Sequence, residues 1–406
     1  MGYGIEALDV YPGLAQIPVP ELFAGRGLEE ERLANLAMTH RSIGLPFEDP
    51  VTNAVNAAKP LVDALDPAER DAIEVLVTST ESGLDLSKSV ASYVHEYLGL
   101  SRTCRIFEAK QACYAATGAL QLATGYLASG ASPGAKALVV ATDVALVDAR
   151  AGYAEPATGH GAAAVLLSDR PTVLELDLGA FGLHSYETLD SARPTPEFDI
   201  ADVDRSLFAY LDCLTHSFAD YRTRVEGADF PTTFDRLAMH TPFSGLVRAA
   251  HRKLMREAGS SVRQAEEDFE RRVAASLAYP AQVGNLCSGS LYLALASLLA
   301  TDRVDTDLRI GLYSYGSGCS AEFFSGVAGP ASAEAVRARD IGGRLARRRR
   351  LTFEEYTGLL PENLRTLVPV ENRTVDAAAY EQYLPGDRPL LVHTRTKDYH
   401  RTYEWR

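Results

Sequence analysis

The sequence predicts an α/β protein with a mixed, mostly parallel sheet and an internally repeated plan. Three observations lead there. Short apolar runs rich in β-branched residues alternate with segments of helical spacing through the first half of the chain, the texture of βαβ units. A helix made largely of small residues, followed by a buried strand, occurs over 113–143 and again over 285–315. No low-complexity linker separates the halves, and 406 residues suffice for two or three domains or one duplicated fold.

The elements follow in order. Residues 73–80 are β-branched-rich and read as a strand. Over 85–98, Leu86, Val90, Tyr93, Val94 and Tyr97 recur at helical spacing. Residues 105–110 read as a strand, 113–128 as a helix, and 137–143 and 162–168 as nearly all-apolar buried strands. The connecting region with Pro171, Pro194 and Pro196 is expected outside the core sheet. In the second half, 204–225 reads as a long helix and 236–241 as a strand ending on His240. Helices over 243–258, 262–277 and 285–300 and a strand over 308–315 complete the list.

Hydrophobic content of 46% and charged content of 23% describe an ordinary globular protein. A formal charge of −14 argues against nucleic acid as a partner. The five cysteines (104, 113, 213, 287 and 319) are odd in number and widely spaced, with no CxxC pair. That fits a reducing compartment, and neither a disulfide framework nor a structural zinc site. The first basic residue is Arg26, so there is no signal-peptide n-region, and the apolar run 291–300 is too short to span a membrane. A cytoplasmic protein without a membrane partner is expected. The basic stretch from Arg337 through Arg347–Arg350 reads as a solvated face or as a docking surface for an acidic partner.

The chemistry centres on Cys113, in Phe107-Glu-Ala-Lys-Gln-Ala-Cys-Tyr-Ala-Ala-Thr-Gly. A thiol at a helix N-terminus meets unpaired N–H groups and the positive end of the dipole, which favour thiolate. Glu81 follows a strand end in Thr78-Ser-Thr-Glu-Ser-Gly, a place for a partly desolvated general base or for a helix-start carboxylate. His240 stands at a strand's end in Ala238-Met-His-Thr-Pro-Phe. Asn285 begins Gly284-Asn-Leu-Cys-Ser-Gly-Ser, and glycines flank Ser317 in Tyr313-Ser-Tyr-Gly-Ser-Gly-Cys. Cys, His and Asn suit either a papain-like protease, whose cysteine motif differs, or thioester chemistry on a duplicated scaffold.

Taken together, these segments resemble the 3-hydroxy-3-methylglutaryl-CoA synthase family of the thiolase superfamily, over nearly the whole chain. Carrying it are Thr-Glu-Ser at Glu81, Lys-Gln-Ala-Cys-Tyr-Ala-Ala-Thr at Cys113, His-Thr-Pro-Phe at His240, Gly-Ser-Leu-Tyr-Leu-Ala-Leu at 289–295 and Ser-Tyr-Gly-Ser-Gly at 314–318. Tyr93-Val-His-Glu-Tyr-Leu-Gly-Leu-Ser, Ala249-Ala-His-Arg and Asp398-Tyr-His-Arg-Thr-Tyr-Glu-Trp are most like the branch that installs β-alkyl groups in polyketide assembly. The resemblance implies a thiolase-like five-layer αβαβα fold of two duplicated halves, 1–170 with Glu81 and Cys113, and 171–406 with His240, Asn285 and Ser317. It implies that Cys113 takes an acyl group and Glu81 enolises it. His240, assisted by Asn285, would bind the β-keto oxygen of the acceptor, and N–H groups at Cys113 and Ser317 would hold the thioester oxygen. Asp85, Asp143 and Asp190 fall where the family has acidic positions near the site.

The implied substrates ride on the phosphopantetheine of donor and acceptor acyl carrier proteins or on CoA, with no intrinsic cofactor and no metal. A homodimer is implied too. Arg248, His251, Arg252, Lys253 and Arg256 are expected on a helix that contacts the carrier protein or CoA phosphates. The rivals are a primary-metabolic synthase acting on acetoacetyl-CoA, a ketoacyl synthase that starts fatty acid chains, and a noncatalytic carrier-docking scaffold. One departure stands out near 154–161, where the family commonly reads Gln-Gly-Ala-Gly-Ala. His160 and Ala163 replace Gln and a Gly, which leaves open a donor larger than acetyl, such as propionyl.

Overall fold

The computed structural model describes residues 2–144 and 154–406. Nine strands form its main sheet: β1 (Gly4–Tyr11), β2 (Ile73–Ser79), β3 (Arg105–Ala109), β4 (Lys136–Val144), β5 (His160–Ser168), β6 (Leu174–Ser185), β7 (Arg236–Met239), β8 (Leu308–Gly316) and β9 (Ser320–Ala328). They lie in the order β7-β8-β9-β6-β1-β5-β4-β2-β3. Seven helices matter for the site: α1 (Pro50–Asp63), α2 (Val90–Leu98), α3 (Ala115–Ala128), α4 (Val203–Arg224), α5 (Ser244–Glu257), α6 (Val262–Arg272) and α7 (Ser290–Thr301).

The pairing repeats. β1 runs antiparallel to β5, β5 antiparallel to β4, and β4 parallel to β2. Likewise β6 runs antiparallel to β9, β9 antiparallel to β8, and β8 parallel to β7. The two runs meet where Gly4 and Ile5 of β1 face Glu175 and Leu174 of β6. Only β3 lacks a counterpart among the described residues.

Alternation along the strands builds the layers. Ala137, Val139 and Ala141 of β4 and Ile310 and Leu312 of β8 face a middle layer with Leu120 of α3 and Leu291 and Leu295 of α7. Leu138 and Val140 face the opposite way, onto Val51 and Val55 of α1 and Val94 of α2. On the second half, Leu237, Met239, Tyr313 and Phe323 meet Tyr210 and Phe218 of α4, Val247 of α5 and Phe269 of α6. The result is the thiolase-like αβαβα order. Leu295 is fully buried in its middle layer, and Leu295→Ala should cost about 2–5 kcal/mol.

Two expectations are corrected. The sheet is mixed but not mostly parallel, because β1, β5, β6 and β9 all pair antiparallel, and only β3-β2-β4 and β7-β8 are parallel. The region after Pro171 is not outside the sheet, since it carries the central strand β6. Pro194 alone of the later prolines lies in a strand, in a separate hairpin of Ser191–Thr195 and Phe198–Ala201. Two of the three segments most like the polyketide branch, 93–101 and 398–405, serve packing. Tyr93 and Tyr97 of α2 meet Tyr403 edge-on at 5.7 and 5.3 Å, and Arg401 and Tyr403 bind Asp49, the N-cap of α1.

Candidate active site

The parallel strands deliver the reactive groups at or just past their C-terminal ends, where open α/β sheets place their sites. Glu81 follows β2, Asp143 is the penultimate residue of β4, His240 follows β7 and Ser317 follows β8. Cys113 sits two residues before α3, after Ala112 with φ of +43°. A non-glycine residue in that region marks a strained nucleophile loop.

The Cys113 thiol donates to Glu81 Oε1 at 3.0 Å. Around it, Glu81, Cys113 and Cys287 bring three donor atoms within 4.8 Å of one another. A hydrogen bond from Cys287 favours the Cys113 thiolate, but burial and the Glu81 carboxylate outweigh it and push the thiol up to about 12. The helix-terminus expectation of a resting thiolate is therefore corrected: the resting group is a thiol with its proton acceptor already in contact. Its hydrogen bond to Cys113, then burial, holds the Cys287 thiol well above its ordinary value.

Asp143 organises the base. Its Oδ1 accepts from the Glu81 N–H at 2.8 Å, Ser82 Oγ at 3.0 Å and Thr80 Oγ1 at 3.2 Å. Burial, and next the charge of Glu81, push Asp143 well above the carboxylate range. Arg193, from the separate hairpin, donates to the Glu81 carbonyl and to Ser82 Oγ while paired with Asp199. The loop that carries the base is thus pinned from both sides.

Below the nucleophile, Tyr114 donates to the buried carboxyl of Glu322 at 2.8 Å. The β8–β9 turn presses on the same loop, and a Cβ at Gly316 would stand 2.5 Å from the Tyr114 nitrogen. This sets the 316–318 turn against residues 111 and 114, on either side of Cys113. Asp190 fixes that turn, accepting from Gly318 N at 2.9 Å and Tyr315 Oη at 2.6 Å.

His240 lies buried beneath Tyr210 and Tyr315. Burial lowers its pKa to about 3, so the imidazole is neutral across the working range. No hydrogen bond joins it to Asn285 among the described residues. The side-chain oxygen of Asn285 instead accepts from Cys287 N at 2.9 Å and Ser290 Oγ at 2.7 Å, ordering the turn that presents Cys287.

Some expected residues fall elsewhere. Asp85 is exposed and accepts from Ser87 N and Lys88 N in a surface loop. His251 is fully buried on Asp268 and cannot touch a partner, because the face of α5 that carries it packs on α6. Arg248 is paired with Glu266 and Glu270, and Lys253 binds Thr215 and Glu257. Arg252 and Arg256 are exposed. In the basic stretch, Arg348 is buried on Gln16, Ser42 and the Gln282 carbonyl, and Arg347, Arg349 and Arg350 pair with Asp340, Glu355 and Glu21. His160 shares the α1 face of β5 with Ala162 and lies against Gly44, away from Cys113. Ala163 faces the middle layer, under Gly289.

Sequence reasoning passed over Cys287 and Arg193. Cys287 lies inside the segment quoted for Asn285, and the signal was there: a second thiol in a turn of small residues. Arg193 sits in the connecting region and gave none.

The hydroxymethylglutaryl-coenzyme A synthase N terminal family matches residues 4–171, and its C terminal family matches residues 256–375. A Bacillus subtilis protein, polyketide biosynthesis 3-hydroxy-3-methylglutaryl-ACP synthase PksG, is 44% identical over 99% of both chains. Hydroxymethylglutaryl-CoA synthase of Enterococcus faecalis is 34% identical over 90% of this chain and 93% of its own. Among solved structures, the HMG synthase of the curacin biosynthetic pathway in complex with holo donor-ACP superposes with a TM-score of 0.97 at 43% identity, covering both chains fully.

Proposed function

The chain belongs to the hydroxymethylglutaryl-CoA synthase family, and from that premise we propose that it acts on a polyketide intermediate held by an acyl carrier protein. It adds an acyl-derived enolate to the β-keto group of that intermediate, creating a β-branch. The Cys113–Glu81 contact carries the reading. As Cys113 attacks the donor thioester, its proton passes to Glu81, 3.0 Å away, and from there to the departing thiolate. Glu81 is then a carboxylate again, ready to take a proton from the acyl methyl group. The enolate adds to the acceptor's β-carbon, and the alkoxide that forms, steadied by a hydrogen bond from neutral His240, takes the proton that Glu81 removed from the acyl methyl, which leaves Glu81 a carboxylate. Water then frees the product acid from Cys113. Backbone N–H groups at Cys113 and Ser317 hold the thioester oxygen during both enolisation and hydrolysis.

Acetyl is the donor the reading favours, with propionyl as the variant, and phosphopantetheine arrives with the partner rather than as a bound cofactor. The chain is read as cytoplasmic; among the described residues no helix is long and apolar enough to cross a membrane. The carrier contact narrows to Arg252 and Arg256, since His251 is buried, Arg248 is paired on the surface with Glu266 and Glu270, and Lys253 is bound to Thr215 and Glu257. We read the halves as dividing at 170 and 171, between β5 and β6. A homodimer fits the edge strand β3, where Ile106 and Phe107 are 37% and 46% exposed.

The test is intact mass after incubation with acetyl-carrier protein, or separately with acetyl-CoA, using Cys113→Ala as control. An adduct from the carrier protein alone, absent in the variant, supports the reading. Equal loading from acetyl-CoA points to the primary-metabolic reading, which the Enterococcus faecalis relative favours. Decarboxylation of a malonyl donor would point to a ketoacyl synthase. No adduct from either donor would leave a carrier-docking scaffold.

A further inference from the structure

A second group of ligand-type side chains lies away from Cys113, where β6 leaves the sheet. His184 of β6 stacks on His216 of α4, with ring centroids 4.5 Å apart. Asp212, one helical turn before His216, lies 3.4 Å from its Nε2. One donor atom from each of the three falls within 4.8 Å of the other two. The spacing has a simple origin: residues i and i+4 share a helix face, and α4 packs across β6.

We propose that His184, Asp212 and His216 form a binding site for a divalent transition cation of the zinc class, with water as fourth ligand. Two imidazoles and one carboxylate suit zinc in a tetrahedral site with one open position, at bond lengths of about 2.0–2.2 Å. Bonds of that length set the donor atoms about 3.4 Å apart, so small side-chain rotations close the set. Ligation needs neutral imidazoles, the ordinary state of histidine above a pH of about 6.5. Asp212 and His216 are about half exposed, which leaves a route for the ion from solvent.

The site is a brace rather than part of the chemistry. Just beyond His184, Tyr186 and Cys319 exchange backbone hydrogen bonds, and Thr188 N donates to the Gly318 carbonyl at 2.7 Å. An ion joining α4 to His184 would tie the long helix to the strand on which the Ser317–Gly318 turn hangs. The sequence pointed to no metal because the ligands come from 184 and from 212–216, a separation that matches no local metal motif.

The full chain, stripped with chelator and desalted, is titrated with zinc chloride by calorimetry and with Co²⁺ by absorption. The expected result is one Zn²⁺ per chain, weakened in His184→Gln and His216→Gln by at least the roughly 10- to 100-fold lost when an outer-shell partner is removed. Co²⁺ would show visible ligand-field bands without a thiolate charge-transfer band. Circular dichroism in chelator checks that both variants fold, and Asp212→Asn, at a half-exposed position, replaces either that does not. Absent zinc binding, or binding unchanged in the variants, overturns the proposal. So does a thiolate band that Cys113→Ala removes, which would put the ion on Glu81, Cys113 and Cys287.

Discussion

The two halves of the main sheet share their strand pairings and differ in what their strand ends hold. Past β2 and at the end of β4 the first half places the Glu81 carboxylate against the Cys113 thiol and the Asp143 carboxyl against the loop that carries Glu81. At β7 and β8 the second half places a neutral imidazole and a backbone turn. One scaffold thus separates two tasks that would interfere if mixed: moving protons, and steadying negative oxygen without giving it a proton too early.

The sharpest way to break this comparison is Cys113→Ala, expected to abolish the acyl adduct in mass spectrometry and turnover by on the order of 10⁶-fold. Next is Glu81→Gln, expected to cut deuterium exchange into the acyl methyl by about 10²–10⁴-fold. Exchange at the wild-type rate would remove Glu81 from proton transfer. His240→Ala is expected to lower condensation by about 10²–10³-fold while loading of Cys113 stays within tenfold. If loading and condensation fall together, the halves do not divide the work.

Two smaller effects sharpen the picture. Asp143 Oδ1 accepts three hydrogen bonds, while its buried Oδ2 has no partner among the described residues. Asp143→Ala should therefore cost about 1–3 kcal/mol in urea unfolding, and Asp143→Asn clearly less. His240 and His393 are lowered by burial to about 3 and about 4. The unfolded chain binds those protons more readily, so stability is full above the unfolded histidine value near 6.5 and falls as pH drops below it. His240→Gln should flatten unfolding free energy measured between pH 6.5 and 4.5; an unchanged slope would assign the whole acid limb to other groups.

Much of this was legible from residue pattern. The apolar runs at 73–79, 137–143 and 162–168 are strands because both faces are buried, and such runs need no partner to be recognised. The reactive residues were legible as neighbours of strand ends, and the structure brings Glu81 and Cys113 into contact. Less legible were features set by tertiary packing. The central strand β6 hid behind Pro171 with both faces only partly buried, and α2 starts at Val90 rather than near 85 because Asp85 captures two backbone N–H groups in a loop. Periodicity also gave α5 a basic helix face but not its occupants' partners, so His251 read as a surface ligand when it is an interior one. The thiol's protonation was misread for a similar reason: a dipole argument is local, whereas burial and Glu81 come from the fold.

Gly316 carries a consequence for descent. A single methyl group at that position would collide with the backbone of Tyr114, which belongs to the opposite half. The two halves therefore cannot drift as separate modules, whatever their common plan. A chimera that joins residues 1–170 of this chain to the second half of a distant relative would inherit a turn shaped for another nucleophile loop. Recombination between such enzymes should succeed where the 111–114 and 316–318 segments travel together, and fail where they are parted.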